Sequence, residues 1–156
     1  MRVLYSSKDR LWKLTDYGFM MEDSSAISVK TPDIMAPVYY APELVRQRQS
    51  FDNKIDIWAF GCVLFEMTTQ RQTFRGEGEL RNFMVHPEEI TVFELDYREV
   101  NEDIVASARW VEELINEMLQ IDSDRRPSTD SLLKKMDMCV YLRKYLIRNF
   151  NINYRP

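Results

Sequence analysis

Histidine is almost absent from this chain, cysteine and glycine are sparse, and no long apolar run occurs anywhere. Each shortage removes a class of function. The single histidine, His86, would have to sit at the centre of any Ser/His/Asp triad or multi-histidine metal site. In "VHPEEI" it precedes a proline and reads instead as an exposed loop residue. The two cysteines, Cys62 and Cys139, cannot build a disulfide framework, and they form no Cys-x-x-Cys pair for zinc. Both are expected to be buried thiols in a reducing compartment. No segment approaches the roughly 18 consecutive apolar residues of a membrane span, and "MRVLYSSKDRLWK" lacks the apolar stretch of a secretory signal. The expectation is a cytoplasmic or nuclear protein that does not enter a membrane. Positive charge is also in deficit: 21 Lys and Arg face 25 Asp and Glu, for a net charge of −4. A polyanion needs clustered, uncompensated cations, so nucleic acid is not the expected partner.

What is present is enough for a core. With 45% hydrophobic and 29% charged residues, 156 residues suit one globular domain, which can bury about 70% of the surface its unfolded chain exposes. Val3 to Tyr5 and Leu11 to Thr15 are short β-branched and aromatic runs around the polar "SSKDR", which predicts a hairpin. From there to about Ile34, "MMEDSSAISVKTPD" has no apolar period and reads as a loop. Pro42 can open a helix over "PELVRQRQ". In "DNKIDIWAFGCVLFEMTTQ" almost no polar face remains, so this helix is expected to be the post buried on all sides. Asp56 near its start reads either as a cap or as an acceptor for backbone N–H groups of a neighbouring loop. "SARWVEELINEMLQI" spaces Trp110, Val111, Leu114, Ile115, Met118 and Leu119 as one face of an amphipathic helix. Another helix follows in "PSTDSLLKKM", with Ser128 and Asp130 marking its start. The tail "MCVYLRKYLIRNF" is again amphipathic, with Arg143, Lys144 and Arg148 toward its end. No repeat and no linker to a second domain is visible.

Four stretches in this order, "KLTDYGFM", "MAPVYYAPELV", "NKIDIWAFGCVLFEM" and "LINEMLQIDSDRRPSTDSLL", together resemble the C-terminal lobe of a eukaryotic-type protein kinase. The resemblance runs from about Val3 to Leu133. It implies a mainly α fold, a kinase-like helical lobe with a short N-terminal β-hairpin. A partial kinase-like domain over residues 1–138 and a helical extension over 139–156 are expected. Residue by residue, the resemblance places Asp16 at the magnesium ligand of an Asp-Phe-Gly motif, with Tyr17 in the Phe position and Gly18 supplying backbone freedom. Taken alone, Asp16 and Gly18 read as a strand-ending turn; the other three motifs favour the metal-ligand reading. Leu4 and Thr15 match the floor of the adenine pocket, and each reads equally well as hairpin packing. Glu43 and Arg126 match a buried ion pair that ties the end of the activation segment to the helical base. Asp56 matches the buried Asp that holds the backbone of the catalytic loop.

The resemblance implies ATP and Mg²⁺ as cofactors and a Ser/Thr-type protein kinase as the parent activity. The family's His-Arg-Asp loop, its phosphate-gripping Lys and its glycine-rich loop do not occur in these residues, and aligned without a gap, Arg2 takes the place of the metal-binding Asn. Met35 and Ala36 replace the usual Gly-Thr, so Ala36 offers no hydroxyl to a catalytic Asp. No catalytic residue is therefore assigned. The chain is expected to be an incomplete domain, inactive alone and binding ATP and Mg²⁺ poorly if at all. The alternative is a pseudokinase-type module that binds a protein partner, with "YREVNEDIVASARW" and the tail as docking surfaces.

Overall fold

The computed structural model describes residues 2–15, 37–46, 52–88, 90–92 and 102–138. Strands β1 (Arg2–Ser6) and β2 (Leu11–Thr15) form an antiparallel hairpin in which Leu4 pairs with Lys13 and Tyr5 with Trp12. Its turn closes through Arg10, whose φ of 54° is left-handed, and through Ser6 Oγ, which donates to Asp9 Oδ2 at 3.1 Å. The hairpin leaves much of its apolar surface open. Leu4 is 55% exposed and Leu11 58%.

The rest of the described chain is helical. A 3-10 turn at Pro37–Tyr39 leads to α1 (Pro42–Val45). Ala41 is extended, as a residue before proline prefers, and Pro42 occupies the first turn, where a missing N–H costs nothing. All four residues of α1 are buried. It ends at Val45, sooner than "PELVRQRQ" suggests; residues 47–50 lie outside the described chain. Helix α2 (Lys54–Thr69) carries the core residues Ile57, Trp58, Cys62, Leu64 and Phe65. One face departs from the expectation of a fully enclosed post: Phe60 is 37% exposed. The helix stops at Gln70, which takes the left-handed conformation and donates its N–H to Glu66 O at 2.9 Å.

Helix α3 (Glu77–Val85) has no counterpart in the sequence reading above. Its signal was present but short: Glu77 and Glu79 suit a helix N-terminus, and Leu80, Phe83 and Met84 follow helical spacing. Leu80 enters the core, with Phe83 and Met84 packed against it. His86 caps this helix and is exposed, as the loop reading expected.

Helix α4 (Glu102–Met118) begins before Ser107, where the apolar period starts, because the preceding "EDIVA" continues a helix and its acidic opening suits the dipole. Val111, Leu114, Ile115, Met118 and the following Leu119 are buried as the spacing predicts, and Trp110 is half-buried. The polar positions of α4 also have a structural task. Asn116 pairs with both backbone groups of Ile90, Oδ1 accepting from its N–H at 2.8 Å and Nδ2 donating to its carbonyl at 3.0 Å. One turn earlier, Glu112 Oε1 accepts from the N–H of Val92 at 2.7 Å. Two side chains four residues apart thus stand in for a neighbouring strand and seat Val92 in the core. Helix α5 (Thr129–Met138) is capped by Ser128, whose Oγ accepts from Ser131 N at 3.2 Å, and buries Leu132. Its Lys135 pairs with Glu117 of α4. The tail from residue 139, with Cys139, Arg143, Lys144 and Arg148, lies outside the described residues.

Helices α2 and α4 form the main helix–helix contact, and Gly61 sets how closely they approach. A Cβ built there would sit 3.0 Å from both Met118 Cβ and Leu119 Cδ2. Met118 Cβ is fixed to its backbone and cannot turn aside. In Gly61→Ala the gain in helix propensity, about 1 kcal/mol, opposes an overpacking cost of about 1–3 kcal/mol. A lower urea midpoint at unchanged denaturant slope is expected, and a larger drop for Gly61→Val. A raised midpoint for the Ala variant would show that the two helices separate freely.

Candidate functional site: the helical base and its ion pair

Arg126 is 2% exposed and sits at the junction of α1, α2 and the turn that follows α4. A guanidinium this deep must satisfy five N–H donors, and all of them have acceptors. Nη1 and Nη2 donate to Glu43 Oε1 and Oε2 at 2.7 and 2.8 Å, a two-pronged pair. The remaining donors reach carbonyls: Nε to Gln120 at 2.7 Å, Nη1 to Lys54 at 2.9 Å and Nη2 to Ile121 at 3.5 Å. Lys54 returns the contact by donating Nζ to the Arg126 carbonyl. Glu43 is 6% exposed, so both charges are removed from water together.

The indole of Trp58 lies against this cation, with the guanidinium carbon 5.0 Å from the ring centroid. Its other neighbours are Phe74, stacked at 5.7 Å, and Phe83, tilted at 6.4 Å. The Trp58 Nε1–H has no hydrogen-bond partner among the described residues, so apolar and cation–π contact alone hold the ring. The ion pair and the aromatic cluster form one unit.

A second polar contact ties the approach to α1 to the middle of α2. Tyr39 donates its hydroxyl to Glu66 Oε2 at 2.8 Å. Burial, reinforced by this bond to a carboxylate, pushes the Tyr39 phenol up to about 12. Burial also pushes the Cys62 thiol up to about 12, which leaves it protonated and unreactive at neutral pH. Cys62 is the buried free thiol that the sequence predicts.

Of the remaining expected site residues, Asp56, Leu4 and Thr15 lie within the described chain. Asp56, expected to be buried, is exposed, and its carboxylate accepts no hydrogen bond among the described residues. It does not cap α2 either, since the cap position belongs to Asn53, which makes no side-chain cap hydrogen bond to the helix. Enough protein surrounds the carboxyl to raise it above its usual value through lost hydration. Leu4 stands exposed in the middle of β1, and Thr15 pairs its backbone with Arg2 at the open end of the hairpin. Asp16, Tyr17 and Gly18 lie outside the described residues, as do Met35 and Ala36.

The order of these elements is decisive when set beside known proteins. A family model described as "Protein kinase domain" matches residues 2–136. The chain belongs to the protein kinase family. Among curated relatives, it is 31% identical over 130 residues to mouse serine/threonine-protein kinase Nek9, a match covering 83% of this chain and 12% of that protein. It is likewise 31% identical over 126 residues to the probable serine/threonine-protein kinase nek3 of Dictyostelium discoideum, covering 81% of this chain and 10% of that protein. Human serine/threonine-protein kinase Nek5 is 26% identical over 144 residues, covering 92% of this chain and 19% of that protein. This kinase-family chain therefore spans between a tenth and a fifth of the length of these relatives.

The family suggests ATP and Mg²⁺, and Asp16, the position matched to a metal ligand, lies outside the described residues. None of them forms a group of three His, Cys, Asp or Glu side chains able to hold a metal ion. On the hairpin, the cation Lys13 is already paired with Asp9. The one Gly-x-Gly stretch, Gly76 to Gly78, opens α3 with Glu77 and Glu79 in its first turn, a charge that repels phosphate.

Removing one partner of the Glu43–Arg126 pair should cost about 3–5 kcal/mol, since the other charge stays buried. Glu43→Gln and Arg126→Ala are each expected to lower the urea midpoint strongly, and Arg126→Lys should not restore it, because an ammonium cannot reach all these acceptors at once. The apolar double variant Glu43→Leu/Arg126→Met should also stay below wild type, since it strands the carbonyls of Gln120, Lys54 and Ile121; wild-type stability in that variant would contradict this account. For Tyr39 the fold favours the neutral phenol, so its contribution is complete below pH 10.0 and is lost as pH rises toward about 12. The stability difference between wild type and Tyr39→Phe should shrink over that interval, as read by denaturation at each pH. Asp56→Asn should keep or raise stability at neutral pH, because it removes a charge the fold disfavours.

Proposed function

We propose that this chain acts as the helical base of a protein-kinase-type domain and, on its own, as a protein-binding element that transfers no phosphate. The observation that carries the reading is the contrast between two carboxylates. Glu43 is fully engaged by Arg126, so the base is held together. Asp56, matched to the residue that would hold a catalytic loop, has no donor among the described residues.

Phosphoryl transfer depends on a base, a phosphate-binding lysine and metal ligands acting on one nucleotide, and one carboxylate such as Asp16 cannot replace them. The 156 residues contain no His-Arg-Asp and no Gly-x-Gly-x-x-Gly. The names of the relatives support a second reading, a Ser/Thr kinase activity that these residues would share in only together with groups supplied from outside them. A buried free thiol and the lack of any membrane-length apolar helix among the described residues are in keeping with a cytoplasmic or nuclear setting.

The purified chain incubated with radiolabelled ATP, Mg²⁺ and a generic protein substrate should transfer no label, and Mg²⁺-ATP should not shift its melting temperature. Sustained transfer that disappears in Asp16→Asn would overturn the proposal. The tail cations Arg143 and Lys144 are the proposed contacts for a protein partner, and reversing both to Glu should weaken a partner complex without changing the melting temperature.

A further inference from the structure

We draw no further inference here: the strongest candidate, the cleft of about 270 Å³ between the end of α1 and the Ile121–Ser123 turn, is lined by Glu43, whose two oxygens Arg126 already occupies, and by Arg46 and Asp122, whose opposite charges select no ligand chemistry.

Discussion

A buried guanidinium is tolerable only when every one of its donors has an acceptor, and that requirement organises this molecule. Arg126 draws a carboxylate from α1, a carbonyl from the first turn of α2 and two carbonyls from the chain leaving α4. None of these groups can move far without stranding a charge in the interior. Segments that are 83 residues apart in sequence at the ion pair are thereby locked into one geometry. Trp58 adds a flat ring over the cation and passes the constraint on to Phe74 and Phe83 in the apolar core.

Around that junction the helices satisfy ordinary packing rules. Helix α2 can be almost wholly apolar because α1, α3 and α4 contribute to the same core, and Gly61 lets α4 come close enough to exclude water. Polar residues on α4 are used rather than merely tolerated: Glu112 and Asn116 complete the backbone hydrogen bonds of Ile90 and Val92, which no strand is present to complete among the described residues. The hairpin differs in kind. Its strands pair well with each other, yet Leu4 and Leu11 remain open, and a two-stranded ribbon has little stability without a surface to lie on.

The family is plain, and belonging to it is a matter of fold rather than of chemistry. Membership rests on the match over residues 2–136, and the structure shows why so much of the sequence can stay recognisable: Glu43, Trp58, Gly61 and Arg126 serve stability, whatever is or is not catalysed above them. Fold and activity are separable for a physical reason. A buried ion pair needs only its own partners, whereas phosphate transfer needs several groups brought to one nucleotide at the same time.

By itself the sequence determined the elements whose signals are local or periodic. The hairpin follows from its β-branched and aromatic runs around a polar turn, α1 from Pro42, α4 from its apolar stripe and α5 from Ser128, since each depends on residues a few positions apart. Helix α3 was missed because its apolar residues number too few to establish a period, and Glu112 and Asn116 gave no hint that they would hold a distant backbone. Tertiary structure alone decided that Asp56 is exposed, that Phe60 of the same largely apolar helix reaches solvent and that Trp58 covers the Arg126 cation. Burial and hydrogen-bond partners belong to the whole packed assembly, and a residue's neighbours in the chain do not specify them.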